Sequence, residues 1–209
     1  MPWRTVRAAK AFLPNLCYRL RAEIMEDAFA VFGISRRPLI DEPALKETYL
    51  RLAADRHPDA SGGKDEEFHL VQEAYKTLRD PATRLRHLLE LAFPSFQKDG
   101  ANVPHAELFL RAGTAVQAAR TVWQRFENTS SALARALLSP EIAEALRQIR
   151  EASGLVQKAE DELARQLEAL DTRWPNVSAD ELSALATAFR FVSRWKSQLS
   201  EWEFQLSSG

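Results

Sequence analysis

Residues 45–78 read LKETYLRLAADRHPDASGGKDEEFHLVQEAYKTL, and this stretch decides the fold. Apolar side chains recur at steps of three and four residues on both sides of His57-Pro58-Asp59, which predicts two helices. The first helix is expected to end at the tripeptide, because proline disfavours the helical conformation for the residue before it. The glycine-containing run over residues 60–65 predicts a loop. The pattern therefore predicts two helices joined by a loop that starts with the tripeptide.

The tripeptide itself has the properties of a contact point. Pro58 fixes one backbone dihedral and lowers the entropy of the loop. His57 is a donor next to the exposed carbonyls of a helix end, and Asp59 is an acceptor suited to an arginine of a partner. A His–Asp pair also occurs in hydrolases, but no Ser or Cys of this chain lies in a context typical of a nucleophile. We therefore expect a binding protein and not an enzyme.

The sequence on both sides of the tripeptide resembles a J domain. The matching residues are Tyr49, Arg51, Leu52 and Ala53 before it, and Phe68, Val71, Ala74, Tyr75 and Leu78 after it. The resemblance implies that His57, Pro58 and Asp59 dock on a DnaK-type chaperone ATPase and promote ATP hydrolysis by that chaperone. It also implies that basic residues of the preceding helix take part in docking. The candidates are Lys46, Arg51 and Arg56.

The predicted docking helix departs from the family pattern at two positions. Leu50 and Asp55 stand where J domains often carry Lys or Arg. The basic face is therefore thin, and electrostatic steering of a partner is expected to be modest. Three interpretations stay open: a specialised chaperone partner, an ordinary solvated helix face at Lys46 and Arg51, and a structural J-like module whose tip is inactive.

Two further segments are similar to the HscB-type co-chaperones of iron–sulfur cluster assembly. These are residues 27–33 (DAFAVFG) and residues 78–91 (LRDPATRLRHLLEL), while residues 186–206 resemble the last helix of that family. The resemblance implies an all-α protein in which a C-terminal helical bundle holds the cluster scaffold protein as its client.

By the same resemblance, the candidates for client binding are Phe109, Leu110 and Phe191. The family continues with acidic residues after the apolar pair, whereas this chain continues with Arg111-Ala112-Gly113-Thr114. Two alternatives therefore stay open. The three apolar residues could serve interhelix packing, or the bundle could tether the chaperone to a different client or to an oligomer.

The positions of the helix-breaking residues predict two domains. We expect a J domain at 26–93, a linker rich in helix breakers at 94–104, and an antiparallel bundle of three or four helices at 105–207. Ser139-Pro140 predicts the start of the long bundle helix, because proline is favoured at the first helical position. Ser178 and Glu181 fit a capping box for the last helix.

Residues 1–25 carry five basic residues and one acidic residue, and three interpretations stay open. The segment is an Arg-rich leader similar to an organelle presequence, a loosely docked basic helix, or an over-extended start before Met25. Lys10 and Pro14 interrupt any apolar core of a secretory signal. A cytoplasmic protein is expected, or a protein of an organelle matrix if the segment is a presequence.

Composition excludes several classes of function. The single Cys17 rules out an internal disulfide and a paired-cysteine metal site, and the four histidines lack i,i+4 spacing, so we expect no metal and no cofactor. The net charge of −1 and the lack of a domain-sized basic segment argue against nucleic-acid binding. No apolar run approaches the 18 or so residues of a membrane span. The tryptophans of the second half are expected to pack the bundle.

Overall fold

The computed structural model describes residues 27–57, 65–97 and 106–208, and the regular elements in these ranges are all helices. The bounds are α1 Ala28–Phe32, α2 Glu42–Asp55, α3 Asp65–Arg79, α4 Pro81–Ala92, α5 Ala106–Glu127, α6 Ala132–Arg173 and α7 Ala179–Ser207. The chain divides into two compact units, Met1–Pro94 and Ser95–Gly209. The all-α prediction is confirmed. The N-terminal segment 1–25, with its three interpretations, lies outside the described residues.

In the first unit, α3 is the central helix and packs against α1, α2 and α4. Its buried face, which includes Val71 and Leu78, meets apolar side chains from each of the other three helices. These are Phe29, Phe32, Leu45, Leu85 and Leu88. The rings of Tyr49 and Tyr75 stack with centroids 4.1 Å apart and join α2 to α3. The helical spacing around the tripeptide therefore does bring two helices together.

A polar side chain and a glycine define the two ends of the short helix α1. The buried Asp27 side chain caps it by accepting a hydrogen bond from the Phe29 amide at 2.9 Å, and its other oxygen accepts from Arg36 Nε at 2.8 Å. Gly33 ends the helix with φ of 64°, a conformation that glycine adopts at little cost. His87 Nε2 accepts from the Ala28 amide at 3.0 Å, which ties α1 to α4.

A buried arginine links three segments of the first unit. The Arg84 side chain on α4 is 1% exposed. Its Nε donates to the Pro38 carbonyl at 2.8 Å, and one terminal nitrogen donates to the Leu78 carbonyl at 2.6 Å. Burial lowers the pKa of the guanidinium, while the carboxylates of Glu42 and Asp80 act in the opposite direction. Arg84 thus satisfies two carbonyls, one between α1 and α2 and one at the end of α3.

The second unit is a bundle of three helices over residues 106–208. Arg150 contacts Glu203 while Glu160 contacts Lys196, so α6 and α7 run in opposite directions. The core contains Ala112, Ala115, Ala119, Val122, Leu138, Ala145, Ile149, Val156, Leu163, Leu167, Leu170, Leu182, Leu185, Phe189, Val192, Leu199 and Leu206. The predicted capping box is present, because the side chains and amides of Ser178 and Glu181 bond reciprocally. Over residues 106–208 the helices are α5, α6 and α7.

The predicted start of the long bundle helix at Ser139-Pro140 is wrong. Helix α6 begins at Ala132, capped by Ser131, whose hydroxyl accepts from the Ala134 amide at 3.4 Å, and Pro140 lies inside it. The preceding turns consist mainly of Ala and Leu, which favour helix strongly. Leu138 is also buried. Local helix propensity and burial of Leu138 together outweigh the backbone hydrogen bond that Pro140 cannot make.

Replacing Pro140 with Ala should stabilise the bundle. The substitution Pro140→Ala supplies an amide for the Ala136 carbonyl and is expected to raise the free energy of unfolding by about 2 kcal/mol. Urea denaturation followed by tryptophan fluorescence measures it, since four of the five tryptophans, Trp123, Trp174, Trp195 and Trp202, lie in the second unit. The neighbouring Ser139→Ala, also at an exposed position, should change stability by less than about 0.5 kcal/mol. Equal shifts for the two variants would contradict this account of Pro140.

Candidate functional site

His57 lies immediately beyond the end of α2. The helix ends at Asp55 and is capped by Arg56, whose amide donates to the Leu52 carbonyl at 3.1 Å. The His57 side chain is exposed, and its ring meets the half-buried ring of Phe68 edge-on, with centroids 5.3 Å apart. Because Phe68 belongs to α3, two helices define the position of the imidazole. Pro58 and Asp59, predicted to act with His57, lie outside the described residues.

The three predicted docking cations do not form one basic cluster. Lys46 and Arg51 are exposed on α2, and Arg56 is half-buried at its end. Lys46 and Arg51 are five positions apart, so they lie on different parts of the helix surface. Arg51 has Glu47 one turn before it and Asp55 one turn after it, which offsets its charge.

The exposed surface of α2 also carries an apolar side chain. Leu50 is 58% exposed, and it lies one turn beyond Lys46. Lys46 in turn follows Glu42 by four positions. The surface that a partner meets on this helix is therefore mixed, with cations, carboxylates and a leucine side by side. Long-range attraction of an acidic partner is correspondingly weak.

In the bundle, the structure brings two of the three predicted client-binding residues together. Phe109 on α5 and Phe191 on α7 meet with ring centroids 6.3 Å apart in a T-shaped arrangement. Phe109 keeps 41% of its surface exposed, and Phe191 is half-buried. The two rings therefore pack between helices and still present an aromatic surface to solvent.

Trp195 belongs to the same aromatic cluster, and sequence reasoning assigned it only to packing. Its ring lies 5.1 Å from that of Phe109, nearly perpendicular to it. Its indole Nε1 is buried and has no hydrogen-bond partner among the residues described. The signal was available in the sequence, since Trp195 follows Phe191 by four positions and so shares its helix face.

Leu110 lies beside this cluster and is 69% exposed. Phe109 and Leu110 stand at one end of a groove of about 900 Å³ between α5 and α6. Small and apolar residues line much of the groove, among them Gly113, Ala118, Val122, Pro140 and Ala145. The predicted client-binding residues therefore form an exposed apolar surface on α5 and α7, and that surface continues into a groove.

The described residues hold no group of three or more His, Cys, Asp or Glu side chains that could bind a metal ion. Among the helices in these ranges, none is long and apolar enough to cross a membrane.

Comparison with known proteins finds relatives over the first unit and over most of the chain. The family model of the DnaJ domain matches residues 27–87. The chain is 38% identical over 78 residues to the co-chaperone protein HscB homolog of Aromatoleum aromaticum, and the match covers 34% of this chain but only 44% of that relative. It is 30% identical over 174 residues to the HscB homolog of Bordetella petrii, covering 78% of this chain and 98% of that relative.

A solved structure resembles the chain over most of its length. Chaperone HscB from Vibrio cholerae superposes with a TM-score of 0.56 at 16% sequence identity, covering 86% of this chain and 99% of that one. At this level of identity the likeness concerns the fold alone. It extends beyond the DnaJ match into the helical bundle, because residues 27–87 make up less than half of the chain.

Proposed function

Because the chain belongs to the HscB family of co-chaperones, we propose that it stimulates ATP hydrolysis by a DnaK-type chaperone and delivers an iron–sulfur cluster scaffold protein to it. The work is divided between two parts. The J domain at 26–93 contacts the chaperone through the His57-Pro58-Asp59 loop, with Lys46, Arg51 and Arg56 as docking residues. The bundle at 105–207, joined by the linker 94–104, binds the scaffold.

The position of His57 is the main support for the proposal that the chain stimulates a chaperone. An exposed imidazole stands at the end of α2, held edge-on by Phe68, within the segment that matches the DnaJ domain. A side chain fixed by two packed helices loses little further entropy when a partner binds it. Such a tip acts on the hydrolysis carried out by another protein and needs no catalytic group of its own.

Steady-state ATP hydrolysis tests this half directly. A DnaK-type chaperone from the same organism is incubated with ATP, and phosphate release is measured with increasing amounts of the purified chain. The proposal expects the rate per chaperone to rise and to saturate. A rate that stays at its starting value across the titration, with the chaperone active towards another J protein, contradicts the proposal.

The client half is supported by the apolar surface of the bundle. Phe109, Leu110 and Phe191 leave aromatic and aliphatic surface exposed on α5 and α7. Side chains of this kind are common anchors of protein interfaces, and a partner that covers them gains their burial from water. Titration calorimetry with the cluster scaffold of the same organism measures the binding that we propose.

A single exposed leucine gives the sharpest test of that surface. Leu110→Ser is expected to weaken scaffold binding about tenfold, because the partner loses an apolar contact of about 1–2 kcal/mol. Leu137→Ser is a matched control. Leu137 is 71% exposed on α6 and is not one of the predicted client-binding residues. The control variant should bind like the unchanged protein. Equal affinities for the two variants would remove Leu110 from the interface.

A different client is the second candidate, and one observation favours it. The residues after Leu110 are Arg111-Ala112-Gly113-Thr114, where the family resemblance leads us to expect acids. A chain that stimulates the chaperone but does not bind the cluster scaffold would establish this alternative. Crosslinking of the purified chain would at the same time reveal an oligomer as the tethered assembly.

A further inference from the structure

Two arginines border the aromatic cluster of the bundle on its α7 side. The guanidinium carbon of Arg190 lies 5.7 Å from the centre of the Phe191 ring. Arg194 follows Phe191 by three positions and so lies on the neighbouring surface of the helix. Both arginine side chains are exposed, and neither forms an ion pair with any residue that the structure describes. Two cations are therefore available at the edge of the exposed apolar surface.

The acidic groups close to this surface are already engaged. Glu107, two positions before Phe109, accepts from Arg111 at 2.9 Å. On α6, Glu160 is paired with Lys196 at 2.5 Å. Residues 111–114 contribute an arginine and no carboxylate. The apolar surface of Phe109, Leu110 and Phe191 is therefore bordered by two unneutralised positive charges.

We infer that this surface selects an acidic protein segment, one that covers Phe109 and Leu110 with apolar side chains and sets carboxylates against Arg190 and Arg194. The inference deepens the proposed function and rests on it for the role of the surface. Arginine suits the task because its planar guanidinium binds a carboxylate through two parallel hydrogen bonds. A phosphate backbone is a poorer match, since two cations give it little affinity and it offers no apolar group to cover Leu110.

Synthetic peptides test the charge preference without any assumption about the natural client. Three fluorescein-labelled helical peptides of about 18 residues serve as probes in fluorescence anisotropy. The first has Leu and Phe on one face and Glu at its other polar positions; the second has Lys in place of Glu; the third keeps Glu but has Ser in place of Leu and Phe. We expect the full chain to bind the first about tenfold more tightly than either of the others.

The double variant Arg190→Glu with Arg194→Glu should abolish or reverse the preference for the Glu peptide. Arg79→Glu with Arg120→Glu makes the same change of charge at two exposed arginines that form no ion pair within the described ranges. Arg79 lies on α3, and Arg120 lies roughly 16 Å along α5 from Phe109. This control should keep the preference. If the unchanged chain binds the Glu and Lys peptides with equal affinity, the inference is overturned. Equal affinity for the Glu peptide and the Ser peptide overturns it as well.

The scaffold protein separates failure of this inference from failure of the proposed function. A scaffold that does not bind, beside a Glu peptide that does, refutes the proposed client and leaves the acidic preference standing. A scaffold that binds, beside Glu and Lys peptides of equal affinity, refutes the acidic preference and leaves the client standing. Circular dichroism and urea denaturation of the Arg190→Glu, Arg194→Glu variant should match those of the control variant Arg79→Glu, Arg120→Glu, so that a lost preference for the Glu peptide is not caused by unfolding of the bundle.

Discussion

Replacing His57 with Gln is expected to return ATP hydrolysis by the chaperone to the rate of the chaperone alone. The imidazole stands at the end of α2, where Phe68 meets its ring edge-on at 5.3 Å. Glutamine keeps a polar side chain but has no ring for that contact, so its amide is not held at the position that the partner requires. Phosphate release over a titration of the variant measures the loss of stimulation.

The same substitution at a neighbouring histidine is the control. His69 is exposed on α3, and its ring lies 6.4 Å from the same Phe68 ring. Because His69 lies on α3 and not in the tripeptide, His69→Gln should stimulate the chaperone like the unchanged protein. Because both side chains are exposed, each variant should unfold within about 0.5 kcal/mol of the parent. Loss of stimulation in both variants, or in neither, is incompatible with a specific role for His57.

Much of the first unit was predictable because its signals are local. Asp27 and Gly33 lie at the two ends of α1, and their residue types favour a cap and a left-handed turn. Apolar residues at steps of three and four on both sides of the tripeptide correctly predict α2 and α3. Such features depend on neighbours within about one helical turn, and a single sequence contains all of them.

Features that depend on distant partners were not predictable in the same way. Arg84 looks like any charged residue of a surface helix, yet it is buried because the Pro38 carbonyl, 46 positions earlier, needs a donor. Pro140 looks like the start of a helix, yet α6 already exists before it. The burial of Leu138 helps to hold those preceding turns, and tertiary burial of that kind cannot be read from the residue types at 139 and 140.

The surface around Phe109 also combines features that the sequence could predict with features that it could not. Family resemblance singled out Phe109 and Leu110 on one helix and Phe191 on another, and the structure sets the rings of Phe109 and Phe191 against each other. Residue spacing alone relates Phe191 to Trp195, but it cannot relate either to Phe109, which lies on another helix. About the charge of this surface, the sequence showed only that acidic residues are missing after Leu110. The contribution of Arg190 and Arg194 required the packing of α5 against α7.

Removal of the buried arginine side chain should destabilise the first unit more than any other single change considered. Arg84→Ala leaves the carbonyls of Pro38 and Leu78 buried without their donor and opens a cavity on α4. Unpaired buried polar groups cost about 1–3 kcal/mol each, so the free energy of opening is expected to fall by about 4 kcal/mol. Native-state hydrogen exchange of peptides from α3 and α4 measures this fall, and peptides from α6 should keep their protection.

Two variants on the same helix make the interpretation of Arg84 specific. Arg86 is exposed on α4, its guanidinium 3.7 Å from Glu90, and Arg86→Ala should cost less than about 0.5 kcal/mol. Arg84→Lys keeps the charge but supplies one nitrogen for two carbonyls. Its loss of stability should therefore lie between those of Arg84→Ala and Arg86→Ala. If Arg84→Ala and Arg86→Ala had the same effect, the two carbonyls would not depend on Arg84. The ordered series would instead tie the stability of the J domain to a buried side chain. Arg84→Ala is then expected to lower chaperone stimulation only in proportion to the fraction of J domain that is unfolded.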